Sequence, residues 1–250
     1  MKKLCFILGC ALLITSCAGS LQQDPDQEKF YLEAIVEQPE LMDVAGFELV
    51  SIDSINLING ANSYVGLRLY PNQPKVNNGK RAELSFDYPF SPDDTILYDW
   101  KVMLPSEFPS DAPSNRWWVM AQWHDQPDVS KGETWDNFPP HSPSILLGYG
   151  MLDGQDYFGF SYGAGALDDI GLIPVTRGEW LRIRVEIHWS QGTNGSAKLY
   201  LNDNADPLFV VHGPNMFNAY QHFFKIGQYR DPEINTDNTV YIDDVNITKK

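Results

Sequence analysis

Between Trp180 and Ser190 the chain alternates without a break: Leu181, Ile183, Val185, Ile187 and Trp189 are apolar, and Arg182, Arg184, Glu186 and His188 between them are charged or polar. Successive side chains of a strand point to opposite faces, so this run is a strand with one buried and one wet face. A solvated convex sheet face accounts for its charges. Helical periodicity is nearly absent elsewhere. From Gly46 onward the chain is a series of short runs rich in β-branched and aromatic residues, punctuated by Asn59-Gly60, Asn77-Asn78-Gly79, Asp153-Gly154, Asn194-Gly195 and Asp203-Asn204. Each punctuation is a turn signal. Further strands are predicted at Arg81–Tyr88, Ile96–Leu104, Trp117–His124, Ser144–Gly150, Tyr157–Tyr162, Ala197–Asn202, Pro207–Val211, His222–Arg230 and Thr239–Thr248. Many short antiparallel strands must bury one face of each sheet against another, which predicts an all-β sandwich or barrel over one domain, residues 46–250.

The N-terminus has a different composition. Lys2 and Lys3 precede an apolar run from Leu4 to Ile14, too short to span a bilayer, followed by Leu13-Ile14-Thr15-Ser16-Cys17. This resembles a bacterial lipoprotein signal, residues 1–17, whose cleavage leaves Cys17 as the lipid-bearing residue. An acidic, Gln-rich tether then spans 18–45, and the expected location is the bacterial cell envelope, anchored to the outer membrane. Cys5, Cys10 and Cys17 are the three cysteines of the chain, so a domain without the leader has no disulfide and no thiol chemistry. The formal charge is 18 − 33 = −15, and 16 − 33 = −17 without Lys2 and Lys3. That balance excludes a nucleic-acid partner, whose binders carry a basic face, and disfavours a densely sulfated ligand. A monomer is expected.

The period-two argument picks out three strands. In Arg81–Phe86, Ala82, Leu84 and Phe86 form an apolar face and turn Arg81, Glu83 and Ser85 to the other side. In Trp117–His124, Trp117, Val119, Ala121 and Trp123 point one way, and Trp118, Met120, Gln122 and His124 the other. In His222–Arg230, Phe224 and Ile226 read as core, so Phe223, Lys225, Gly227 and Tyr229 share the opposite face. Arginine, amide, histidine, lysine and tyrosine, with few nearby carboxylates, suit an anionic substrate. The loop Asp125–Pro143, which directly follows the Gln/His pair, lies where a cleft wall or lid would sit.

R-A-E-L at 81–84, Q-W-H at 122–124 and F-F-K-I-G-Q-Y-R at 223–230 resemble, in that order, the signature strands of jelly-roll polysaccharide lyases: R-[ST]-E-L, Q-[IV]-H and Y-F-K-x-G-x-Y. The likeness spans roughly residues 45 to 248, including Val240–Val245, and its tryptophans favour the glucuronan lyase and heparin lyase I group over the alginate lyases. Ala82, Trp123, Phe223 and Arg230 depart from the pattern. The resemblance implies a concanavalin A-like jelly roll of two antiparallel sheets. It further implies β-elimination on a uronic-acid-containing polysaccharide, glucuronan-like or otherwise weakly sulfated. Arg81 and Gln122 would grip the uronate carboxylate, and His124 would neutralise it or take the C5 proton. Tyr229 would be the proton donor and, where acid and base share one side of the ring, the base. Lys225 would support ionisation of Tyr229 or bind substrate with Arg230, Glu83 and Trp118.

The alternative is a non-catalytic glycan-binding surface lipoprotein on the same fold. A hydrolase would need two carboxylates flanking the bond, and Asp153, Asp156, Asp168 and Asp169 fall among turn residues. No cofactor is expected, and the five histidines show no close-spaced ligand pair. A structural calcium at Asp243 or Asp244 is the one metal for which the sequence leaves room.

Overall fold

The computed structural model describes residues 47–48, 64–75, 78–86, 88–109 and 116–250. The leader, Cys17, the tether and the Asn59-Gly60 turn lie outside them. The described strands belong to one compact unit, Tyr31–Lys250. They form two sheets in which every pairing is antiparallel. The seven-stranded sheet runs β1 (Phe47–Glu48), β2 (Val65–Leu69), β13 (Asn238–Lys249), β4 (Thr95–Met103), β9 (Leu181–His188), β10 (Ser196–Leu201) and β11 (Phe209–His212). The six-stranded sheet runs β3 (Lys80–Phe86), β12 (Phe223–Arg230), β5 (Trp118–His124), β6 (Ile145–Leu152), β7 (Gln155–Tyr162) and β8 (Asp168–Val175). This is the two-sheet jelly-roll sandwich. The three strands singled out by their faces are neighbours in it.

The sheets close on a core of large aromatic rings. Trp123 of β5 stacks on Phe224 of β12 at 4.7 Å and meets Tyr98 of β4 edge-on at 5.4 Å. Trp100 reaches Phe224 at 5.3 Å, so two rings from each sheet interlock between the layers. Such pairs add about 0.5–1.5 kcal/mol each beyond the area they bury. Gln228 provides a polar tie: it is fully buried, and its Nε2 donates to the carbonyls of Leu67 and Asn238.

The alternating run of β9 has the outer face expected of it. Arg182 grips Asp99 at 2.6 Å and Asp203 at 2.8 Å, and Lys198 pairs with Glu186 at 2.8 Å. The Asp153-Gly154 turn is the two-residue link of β6 and β7, with φ of 51° and 79°. Positive φ at both central positions is what a hairpin matching strand twist requires.

β2 and β8 were not expected from the sequence. Asp168 and Asp169, predicted among turn residues, open β8, and Asp156 is a buried residue of β7 that accepts from Tyr149 and binds Arg177. Only Asp153 of those four carboxylates lies in a turn. Asp244, named for a cation, is ion-paired to Lys101 at 2.5 Å.

Candidate active site

β12 sits between β3 and β5, and its register decides which side chains meet. Tyr229 lies opposite Arg81, Lys225 opposite Ser85 and Gln122, and Phe223 opposite His124. Arg81, Glu83, Ser85, Gln122, His124, Phe223, Lys225 and Tyr229 therefore share one face, turned away from the aromatic core. His124 and Tyr229 stand six residues apart along β12, with the Gln122–Lys225 row between them.

Within this face two groups are closely knit. The Arg81 guanidinium lies 4.1 Å from the centroid of the Tyr229 ring, and its Nε is 3.0 Å from Glu83. Glu83, itself buried, accepts from Gln122 Nε2 at 2.6 Å. Glu83 thus holds Arg81 and Gln122 in fixed relation instead of facing solvent as a free carboxylate. At the other end Lys225 Nζ lies 4.5 Å above the Phe223 ring, which stacks on His124 at 5.5 Å. Lys225 thus leans toward the ring beside His124; the resemblance gave it either support of Tyr229 ionisation or substrate binding.

The surroundings of His124 are not visible in the sequence. Its Nδ1 lies 2.7 Å from the Asp125 carbonyl oxygen and 2.9 Å from Asp125 Oδ1, and its Nε2 is 3.1 Å from the His141 carbonyl oxygen. His141 in turn places its own Nδ1 2.7 Å from Asp125 Oδ2. Burial pushes the Asp125 carboxyl up, but the bonds from His124 and His141 outweigh it and hold the group below the usual carboxylate value. No sequence spacing announced this pairing, because His141 returns to β5 only through the long loop. The same loop brings Trp135, 62% exposed, to 6.3 Å from Phe223, beside the His124 end.

His222 lies behind this cluster and gives it a pH dependence. It is buried against Trp189, with ring centroids 5.0 Å apart, and burial drives its imidazole down to about 4 although the Asp125 charge pulls the other way. The unfolded chain binds this proton near 6.5 and the folded one only near 4. Stability is therefore full above that window and falls as pH drops through it, by on the order of 3 kcal/mol in all. Urea midpoints measured from pH 7.5 to 4.5 should fall with acidity, and His222→Phe should flatten most of that slope. An unchanged slope in His222→Phe would refute the assignment.

Two predicted substrate contacts are corrected. Trp118 is 2% exposed and packs edge-on against Tyr149 at 5.0 Å, and Arg230 is fully buried with its guanidinium 4.9 Å over the Trp118 ring. Both face the core. Arg230 does so by plain alternation, since it shares a parity with Phe224 and Ile226 on a strand whose register with β3 is unbroken; Trp118 does so because of a bulge in β5, where the β5–β6 register shifts between Val119 and Ala121. One extra residue reverses which face each neighbour takes. Met120 is buried at the shift, so Val119 and not Trp118 joins Gln122 and His124. On β12 only glycine fits where the register with β5 shifts, since Gly227 has φ of 135° and a Cβ there would lie 2.4 Å from the Ala82 carbonyl oxygen. Trp117, read from the sequence as core, is 37% exposed and stands edge-on to Tyr229 at 4.7 Å. Both rings press on Gly79, where a Cβ would lie 2.4 Å from Trp117 and 2.8 Å from Tyr229.

Over residues 49–246 the chain matches the family model for polysaccharide lyases. Its fold is similar to that of an endo-β-1,4-glucuronan lyase from the fungus Trichoderma reesei, at 13% identity over 77% of this chain and 83% of that one, with a TM-score of 0.55. A marine PL7 alginate lyase from Zobellia galactanivorans is similar at 13% identity over 79% and 88%, TM-score 0.50. The catalytic domain of a glycoside hydrolase family 131 protein from Coprinopsis cinerea is similar at 12% identity over 78% and 73%, TM-score 0.50. Likeness at this level establishes the fold, which lyases and a hydrolase share. No curated protein matches the chain.

Proposed function

This chain belongs to the polysaccharide lyase family, and from that premise we propose that it cleaves a uronic-acid-containing polysaccharide by β-elimination centred on Tyr229. The observation that carries the proposal is the linked set Tyr229–Arg81–Glu83–Gln122 on one sheet face. The C5 proton of a uronate is only weakly acidic, because its ionised carboxylate resists further negative charge. Arg81 and Gln122, fixed by Glu83, are donors aimed at that carboxylate, and loss of one such donor costs about 3 kcal/mol of barrier.

Both ring nitrogens of His124 are engaged by the oxygens of Asp125 and His141, so in this scheme the ring is held in place by the protein and is not the C5 base. Tyr229 takes both proton roles. Its phenolate oxygen accepts the C5 proton, the C5–H electron pair becomes the C4=C5 double bond, and the C4–O bond breaks. The phenol then returns that proton to the departing glycosidic oxygen.

The test is growth of the ultraviolet absorbance of unsaturated uronate ends on a panel of uronate polymers. Absorbance growth on any one of them supports elimination. Saturated products alone would overturn it in favour of hydrolysis. The reading also places the protein on the bacterial envelope through Cys17. Fatty-acid labelling of cells is expected to mark the wild type, and Cys17→Ser is expected to lose the label.

A further inference from the structure

We propose that the sheet face beyond Tyr229 binds uncharged sugar units, so that the substrate is a heteropolysaccharide in which the cleaved uronate is neighboured by neutral residues. The inference rests on the elimination reading above and extends it. It moves the substrate away from the glucuronan-like polymer that the sequence resemblance implies.

Tyr229 pairs with Val119, Val119 with Gly148, Gly148 with Gly159 and Gly159 with Leu172, which makes one row across β12, β5, β6, β7 and β8. At a strand spacing of about 4.8 Å, the four steps cover roughly 19 Å, enough for more than one sugar ring. The row begins at the proposed proton donor and runs to the sheet edge.

The floor of this row carries no side chain at its centre. Gly148 and Gly159 are half-exposed, and neither has a positive φ. A Cβ on Gly148 would meet nothing nearer than the Trp118 carbonyl oxygen at 3.5 Å, and one on Gly159 nothing nearer than Leu172 at 3.7 Å. On the same face, Gly150 would meet nothing within 4 Å. Backbone conformation and internal packing thus accept a larger residue at all three positions, although glycine weakens a strand interior. What a side chain there would obstruct is a ligand lying close against the backbone.

Charge decides which ligand. β6, β7 and β8 read ILLGYGML, QDYFGFSY and DDIGLIPV, with no lysine, arginine or histidine among them. The connections 153–154 and 163–167 add none. Arg177, just after β8, is held by buried Asp156 at 2.7 Å. A carboxylate or sulfate over these strands would meet no cation of theirs, and Asp169, which accepts from Ser161 at 3.0 Å, would repel it. Val119, Tyr157 and Leu172 suit the apolar face of a neutral sugar ring. Arg81, Lys225 and His124 confine cationic recognition to β3, β12 and β5.

The experiment compares turnover by the full chain on polyglucuronate, polymannuronate, heparin and unsulfated chains alternating glucuronate with N-acetylhexosamine. The alternating chains should exceed the homopolymers in kcat/KM by about tenfold or more, the ratio one missing charge pair supplies. Gly159→Lys should narrow that gap by raising turnover of the homopolymers. Gly148→Leu, with an unchanged thermal midpoint, should raise KM on the alternating chains. If a homopolyuronate or heparin is the best substrate and releases unsaturated ends, the inference is overturned and the elimination reading stands. If no polymer releases them, the elimination reading is overturned and this inference with it.

Discussion

Replacement of Tyr229 by phenylalanine is expected to lower turnover by about a hundredfold or more, the usual loss when a general acid or base is removed. The substitution deletes one oxygen from a half-buried ring and leaves the ring in place. Its edge-on contact with Trp117 at 4.7 Å survives, as does the Arg81 guanidinium 4.1 Å from its centroid. Substrate affinity should therefore change far less than kcat, and thermal unfolding should be nearly unaltered. Steady-state absorbance kinetics beside a melting curve separate the outcomes. Activity near that of the wild type would remove Tyr229 from the chemistry. A collapse of both activity and melting temperature would make the residue structural.

Tyr229 was legible in the sequence because the strand around it alternates cleanly from Phe223 to Ile226 and pairs with β3 in unbroken register. The same rule placed Arg81, Glu83, Gln122 and His124 on one face. It failed at Trp117 and Trp118 because it assumes one residue per pleat, and a bulge at Met120 violates that assumption. A bulge stems from how two strands pair, so it leaves no mark on either strand alone. β8 was missed for a related reason. D-D-I-G-L-I-P-V breaks alternation and contains a proline, which a sheet accepts only at an edge, and β8 is the edge strand of its sheet. The Asp125–His141 contact depends on the path of the long loop. Three carboxylates thought to lie in turns, Asp156, Asp168 and Asp169, became strand residues once their partners across the sheet were known.

Arg230 offers the sharpest test of the corrected face. A substrate contact would affect KM or polymer choice on mutation and leave stability alone. The structure requires the reverse. NH1 of Arg230 bonds to Asn238 Oδ1, and NH2 donates to the Thr236 carbonyl oxygen at 2.5 Å. Asn238 itself donates to the Pro109 carbonyl oxygen at 2.6 Å, so the guanidinium and Asn238 together tie the start of β13 to Pro109. Arg230→Ala takes its donor from the Thr236 carbonyl oxygen, at about 1–3 kcal/mol, and leaves Asn238 Oδ1 with the bond from Thr236 Oγ1 alone. It also strips the cation from the Trp118 face, which is worth about 2 kcal/mol when desolvated. A buried charge is costly to desolvate, and its removal returns part of that loss. The net expectation is a loss of about 3 kcal/mol, a fall in melting temperature of roughly 6–12 °C for a domain of this size. Polymer preference and KM, measured below the transition, should match the wild type. A variant that melts normally but changes its substrate would show that Arg230 reaches the sugar after all. The parity that sets Arg230 with Phe224 and Ile226 on the core face of β12 would then not hold.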